Sequence, residues 1–197
     1  MSDTEQNDLN TKREKFSSFF LIEHPITINI LPISSDIPMI DMQDFEKSMP
    51  YAFRIGAEMS EIESQALRPF RNMGEKFEEL IDYLQLQARK MDLMMSYILQ
   101  QQDDPEHRTN AQKFGGGGLS VFSEKEVNLG DCVEVKLFLE DEAAAVFTYA
   151  EAINCDKIDD NYLVDYYFTH IREQDQELLV RASLHLQTKQ LRKQKNS

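Results

Sequence analysis

Hydrophobic and polar positions along this chain change period three times. After a polar start over residues 1–16, Ile26, Ile28 and Ile30 alternate with Thr27 and Asn29. Period two is that of a strand with one buried face. Pro25 and Pro32 bracket it, where strand ends tolerate proline. Residues 1–16 are therefore expected to be a flexible arm, and residues 17–35 to hold the first strand.

From about Glu58 the period becomes helical, and residues 50–102 are expected to form a helical segment. Pro69 marks a first-turn proline or a kink. Beyond it, Phe70, Phe77, Leu84, Met91 and Ile98 recur every seven residues, and Met73, Leu80, Gln87, Met94 and Gln101 form a second series offset by three. These are the a and d positions of a coiled coil. Ile81, Ala88 and Met95 flank the d series, Tyr83 and Tyr97 precede the a series, and Leu86, Leu93 and Leu99 leave little polar surface on the upper half. A face that wide is buried all round, or is packed on a partner and on its own domain at once. An unbroken helix from Phe70 to Gln102 would span roughly 50 Å, longer than a small barrel is wide. Packing on its own domain alone would leave apolar side chains wet. Phe70, Met73, Phe77, Leu80, Leu84, Gln87, Met91, Met94 and Ile98 are accordingly assigned to self-association. Gln87 and Gln101 read either as polar layers that fix register or as ordinary exposed glutamines.

Gln100–Lys113 reads as a linker by composition. Strand patterns follow at Leu119–Phe122, Cys132–Leu139, Ala145–Ile153 and Tyr162–Phe168, with turn residues between them. That spacing predicts a small antiparallel barrel or sandwich. Glu173–Lys195 is helical, with Leu178, Leu179, Ala182 and Leu186 on one face and Lys189, Arg192, Lys193 and Lys195 toward its C-terminus. It is expected to cover an open end of the barrel.

Composition narrows the function. Lys+Arg is 21 against Asp+Glu 35, a net charge of −14. That balance excludes a general nucleic-acid binder and raises the cost of approach for anionic ligands. No stretch reaches the roughly 18 apolar residues of a membrane span, and the first fifteen residues lack the apolar core of a secretory signal. A cytoplasmic location without membrane insertion is expected. Cys132 and Cys155 then read as reduced, buried thiols, with a disulfide as the alternative. The four histidines, His24, His107, His170 and His185, have no partner at triad or metal spacing. Acid pairs such as Asp103-Asp104, Asp141-Glu142 and Asp159-Asp160 fall in turns and read as solvated turn residues. No catalytic residue, metal or cofactor is assigned. The methionines of the helical segment read as core filling, or as an adaptable partner-binding face.

A resemblance begins at Phe114, with Gly115–Gly118 and Leu119-Ser120-Val121-Phe122. Leu129-Gly130-Asp131, the strands VEVKLFLE and YAEAIN, and Tyr166–Ile171 extend it. In this order the elements resemble the PilZ domain family over about residues 112–193, with Pro25–Ile33 supplying the first barrel strand. The resemblance implies an α+β fold: a small antiparallel β-barrel over residues 112–195, a long heptad helix inserted after the first strand, and a C-terminal helix. PilZ domains are, as a family, receptors for cyclic di-GMP, which they hold with arginines spaced Arg-x-x-x-Arg and an Asp/Asn-x-Ser-x-x-Gly motif. Planar bidentate guanidinium groups suit two phosphates and two guanine edges. This chain departs on both counts. No two arginines stand four apart, Lys113 and Gly115 stand at the Asp/Asn and serine positions, and only Gly118 matches.

A subset of PilZ proteins is similar in carrying heptad helices after the first strand, associating as tetramers and lacking the dinucleotide motifs. Such members are linked to surface motility, type IV pili or virulence. The resemblance therefore implies a non-enzymatic regulatory adaptor, a homo-oligomer with a tetramer favoured, acting on an unidentified protein partner and not binding cyclic di-GMP. The competing reading is a cyclic di-GMP receptor with a non-standard site at Arg108, Lys113, Gly115 and Gly118. For the glycine run itself, a phosphate-holding backbone nest stands against a turn that permits positive φ and close strand approach.

Overall fold

The computed structural model describes residues 3–33, 40–67 and 78–195. In chain order these form α1 (Asp3–Ser18), β1 (Leu21–Pro32), α2 (Met42–Ser48), α3 (Tyr51–Leu67), α4 (Glu78–Gln100), β2 (Arg108–Gly115), β3 (Gly118–Ser123), β4 (Cys132–Leu139), β5 (Ala144–Ile158), β6 (Asn161–His170) and α5 (Glu173–Lys195). The six strands pair antiparallel and close into a barrel in the order β1-β2-β3-β6-β5-β4. The fold is α+β, with the helical segment inserted after the first strand and a helix at the C-terminus, as the resemblance implied.

The period-two residues of β1 point inward. Ile26 and Ile28 join Phe114, Leu119, Val135, Leu137, Val146 and Val164 inside the barrel, and Ile30 packs against them. Helix α5 lays Leu179, Ala182 and Leu186 into that same core. Strand β5 has a second buried side. Ala145, Phe147 and Tyr149 face a separate cluster with Phe45 of α2, Phe53 of α3, and Met95 and Leu99 of α4. The rings of Phe45 and Phe147 stack at 5.8 Å, and Phe45 meets Tyr149 edge-on at 5.1 Å. Burial on both faces explains why Ala144–Ile153 shows no clean alternation in the sequence.

Hydrogen-bonded buried polar groups fasten these layers. Asn29 in β1 donates through Nδ2 to Asp103 Oδ1 at 2.8 Å and to the Asp104 carbonyl at 3.1 Å, and its Oδ1 accepts from Asp104 N at 2.8 Å. This clip sets the path from α4 into β2. Arg172 grips Asp175 with two nitrogens, at 2.7 and 3.1 Å, and reaches the Phe53 carbonyl at 3.4 Å. His170 Nε2 lies 3.0 Å from the Ile40 carbonyl.

Three expectations are corrected. Residues 3–18, expected within a flexible arm, are helix α1. Leu9 and Phe16, one heptad apart, both find Ile153 of β5, and the apolar contact orders the segment. The second half of the expected linker is strand β2, whose inward residues Ala111 and Phe114 are buried while Arg108 and Asn110 are exposed. Its polar composition belongs to a solvent-facing strand side. Pro25 lies inside β1 rather than at its edge, in the irregularity between Glu23 and Ile26 where the ladder with β2 slips. A missing N–H costs no ladder bond there.

Phe147 is 1 % exposed and touches Phe45, Phe53 and Tyr149. Phe147→Ala should destabilise the protein by about 3–5 kcal/mol, read as a lower urea midpoint with an unchanged slope.

Candidate functional site

Two surfaces carry the residues singled out in the sequence. The first is α4. Only Ala88, Met95 and Leu99 are buried among its described side chains; they lie along one narrow stripe, from which Met95 and Leu99 pack with residues of β5 and α3. A Cβ built on Gly56 of α3 would meet Met95 at 3.6 Å and Leu99 at 3.8 Å, so the two helices pack closely. At 3.6 residues per turn, the a and d positions form a neighbouring stripe that the domain leaves open. Leu80 (45 %), Met91 (47 %), Met94 (60 %) and Ile98 (45 %) are exposed, while Leu84 and Gln87 are half-buried. Tyr83, Leu86, Leu93 and Tyr97, exposed as well, extend the apolar arc further round the helix. Phe70, Met73 and Phe77 lie outside the described residues. Met91 and Met94 are surface residues, so the core-filling role applies to Met49 and Met95 instead.

The second surface is the glycine run, which forms the tip of the β2–β3 hairpin with Gly115 opposite Gly118. None of these four glycines has positive φ; among the described glycines that falls to Gly130 (φ 92°). They are required by close approach. A Cβ on Gly115 would overlap the Phe20 carbonyl oxygen, and one on Gly118 would overlap that of Tyr166. At Gly116 it would lie 2.6 Å from Val180 Cγ2, and at Gly117 2.6 Å from Phe19 Cδ2. The Gly116 carbonyl accepts from Gln176 Nε2 at 2.9 Å, and the Gly117 carbonyl from Phe168 N at 3.1 Å. Side chains of α1, the α1–β1 corner and α5 therefore sit against the space a phosphate would need.

The cations assigned to this region are engaged elsewhere. Arg108 pairs with Asp103, and Lys113 Nζ lies 2.7 Å from Glu23 Oε1. The hydrogen bond from Lys113 holds the Glu23 carboxyl below its usual range. For Asp103, burial pushes its pKa up, but hydrogen bonds from Arg108 and Asn29 outweigh it and the net shift is downward. Asp103 and Asp104, expected to be solvated turn residues, thus hold the turn together.

The remaining candidate chemistry is structural. His170 is buried with its ring between Ile40 and Thr169. Both cysteines are free thiols, and burial raises that of Cys132. Burial also pushes the Tyr166 hydroxyl up to about 12. Among the described residues no group of His, Cys, Asp or Glu is placed to hold a metal ion, and no helix is long and apolar enough to cross a membrane.

Sequence reasoning missed the surface under α1. Leu9 and Phe16 pack on Ile153, Lys12 Nζ lies 2.7 Å from Glu151, and Arg13 Nε donates to the Ile153 carbonyl at 2.8 Å. Burial opposes the charge on Lys12, but its hydrogen bonds to Asp8 and Glu151 outweigh that and raise its pKa. The seven-residue spacing of Leu9 and Phe16 was the one signal available.

The sequence pattern of the PilZ domain matches residues 86–185, just over half the chain. No curated protein matches. Among solved structures, a pathogenic protein of Xanthomonas campestris, described as a tetrameric PilZ domain self-assembled via an unusual helical bundle, aligns with TM-score 0.55 at 12 % identity, over 91 % of this chain and 96 % of that one. The Bacillus subtilis inhibitor of motility, MotI/DgrA, aligns with TM-score 0.38 at 16 % identity over 44 % of this chain and 45 % of its own. The K. pneumonia protein MrkH aligns with TM-score 0.38 at 14 % identity over 46 % of this chain and 44 % of its own. The first of these is a likeness of fold.

Two outcomes test the geometry. Gly118→Ala should cost about 1–3 kcal/mol, because the added methyl meets a backbone oxygen that cannot swing away; a denaturant titration reads it. The lowered pKa of Asp103 stabilises the fold above the ordinary carboxylate value of about 4, and that contribution is lost as pH falls through the lower folded-state value. Asp103→Asn should lower stability at pH 7 by about 1 kcal/mol and flatten the decline on acidification, measured as urea midpoints across a pH series.

Proposed function

The chain belongs to the PilZ domain family, and from that premise we propose that it is a non-enzymatic regulatory adaptor, assembled into a homo-oligomer through α4 and acting by contact with protein partners. The helical segment 50–102 serves as the assembly module, and the barrel is what it presents.

The observation that carries this reading is the open a and d stripe of α4. Its own domain leaves Leu80, Met91, Met94 and Ile98 exposed in one line, and each such side chain gains about 1.5–3 kcal/mol when fully buried. Copies of the same helix supply a complementary surface by symmetry. A tetramer is favoured because the apolar arc is wider than the seam of a two-stranded coil. The likeness in fold to a PilZ protein described as tetrameric through a helical bundle supports the same stoichiometry.

The dinucleotide is read as absent from this chain's repertoire. Cyclic di-GMP brings two phosphates to a protein of net charge −14. Arg108 and Lys113 are committed to Asp103 and Glu23, and Phe19 and Val180 occupy the glycine tip. Recognition of a doubly charged ligand needs a local cationic site that overcomes the field of the whole chain.

Light scattering on the purified chain should give an oligomer mass, with four subunits expected, and Met94→Glu/Ile98→Glu should give a monomer of unchanged circular dichroism, since both side chains are already exposed in the protomer. A wild-type monomer would remove the assembly claim. Calorimetry with cyclic di-GMP should show no saturable heat in the micromolar range. Micromolar binding lost in Arg108→Ala and Lys113→Ala would instead establish the receptor reading.

A further inference from the structure

Helix α1 lies on the barrel as a peptide helix lies in a groove. Four features of the groove receive it. A slot formed with Ile153, Leu21 and Tyr167 takes Leu9 and Phe16. Glu151 is only 8 % exposed, and the ammonium beside it, Lys12, comes from α1. The Ile153 carbonyl is placed where β5 slips against β6 between Ala152 and Asn154, and it accepts from Arg13. Finally, the glycine tip leaves room for Phe19 at the corner after the helix. A buried acid, a carbonyl at a bulge and an apolar slot make up recognition chemistry for a helix that presents a Lys–Arg pair between two apolar residues.

The hold of α1 itself is slight. Among its described side chains only Leu9 and Phe16 are buried, and the rest are exposed or half-exposed. The helix lies at the start of the described chain, joined to β1 through only Phe19 and Phe20.

We propose that the barrel face under α1 is a helix-docking site, filled by α1 in the free chain and taken by exchange by a helix of a partner protein. That helix would carry the same pattern: an aliphatic residue, Lys and Arg three and four positions on, and an aromatic seven positions on. Tethering gives α1 a high effective concentration at the groove, so a partner must match its contacts or improve on them. The proposal rests on the adaptor reading for there being a partner, and is independent of assembly through α4.

The test uses a fluorescein-labelled peptide of residues 3–20 of this chain. It is titrated into the full chain and into the full-chain variant Leu9→Asp/Phe16→Asp, which releases α1 and leaves the barrel core untouched. The variant should bind at least tenfold more tightly than wild type. Binding should weaken at least tenfold on adding Glu151→Gln, and equally with a peptide carrying Lys12→Glu. Absence of saturable binding to a variant whose circular dichroism and melting show an intact barrel overturns the proposal. Should the variant not fold, hydrogen exchange on the wild-type chain decides. Amides of α1 should exchange at least a hundredfold faster than those of β5, and equal protection overturns it. Light scattering on the same samples keeps the two ideas apart. An unchanged oligomer mass in the variant fits a foreign helix, whereas loss of the oligomer would mean that α1 is exchanged between copies and overturns the assignment to a partner protein.

Discussion

The burial of strand β5 on both of its faces is the constraint from which the rest of the arrangement follows. One side of residues 145–153 fills the barrel, and the other must be covered or left as an apolar wall in water. Four helices cover it. Phe45 of α2 and Phe53 of α3 lie over Phe147, Met95 and Leu99 of α4 complete that cluster, and α1 takes Ile153. The helices are therefore attached to the outside of the barrel by the strand itself.

The position of α4 decides what the molecule offers to others. Its inward residues Met95 and Leu99 satisfy β5, and the turn after it is clipped to β1 through Asn29, Asp103 and Asp104. With both anchors set, the heptad stripe is turned away from the barrel. A helix with a narrower apolar face would have spent all of it on the domain; this one has enough for two surfaces. Folding thus draws on one side of this helix and leaves the other for the assembly proposed above.

The glycine end of the barrel is used for packing. Glycine at four consecutive positions lets two phenylalanines and a valine approach the hairpin backbone, and nearby cations are matched one to one by acids. Buried polar pairs do comparable work at the other joints. The Arg172–Asp175 pair and the contact between His170 and Ile40 position α5, α3 and the segment before α2. Such pairs add little net stability over apolar packing, but they select one geometry, because any other leaves a buried polar group unmatched.

Local period was legible in the sequence. The isoleucines of β1, the heptads of α4, four of the strands and the Glu173–Lys195 span of α5 could all be read from residue spacing, because an apolar face repeats at the pitch of its own backbone. The order of elements around the glycine run then pointed to the fold family. What only the tertiary structure decided was which faces meet. The polar segments 3–18 and 108–113 are ordered by distant partners, Ile153 and the isoleucines of β1, that no local pattern announces. The glycines are explained by side chains remote in sequence, and the split of the apolar arc of α4 into an inward and an open stripe depends on where β5 presents Phe147. Periodicity is a property of one element, whereas coverage is a property of pairs, and pairs form only once the chain has closed.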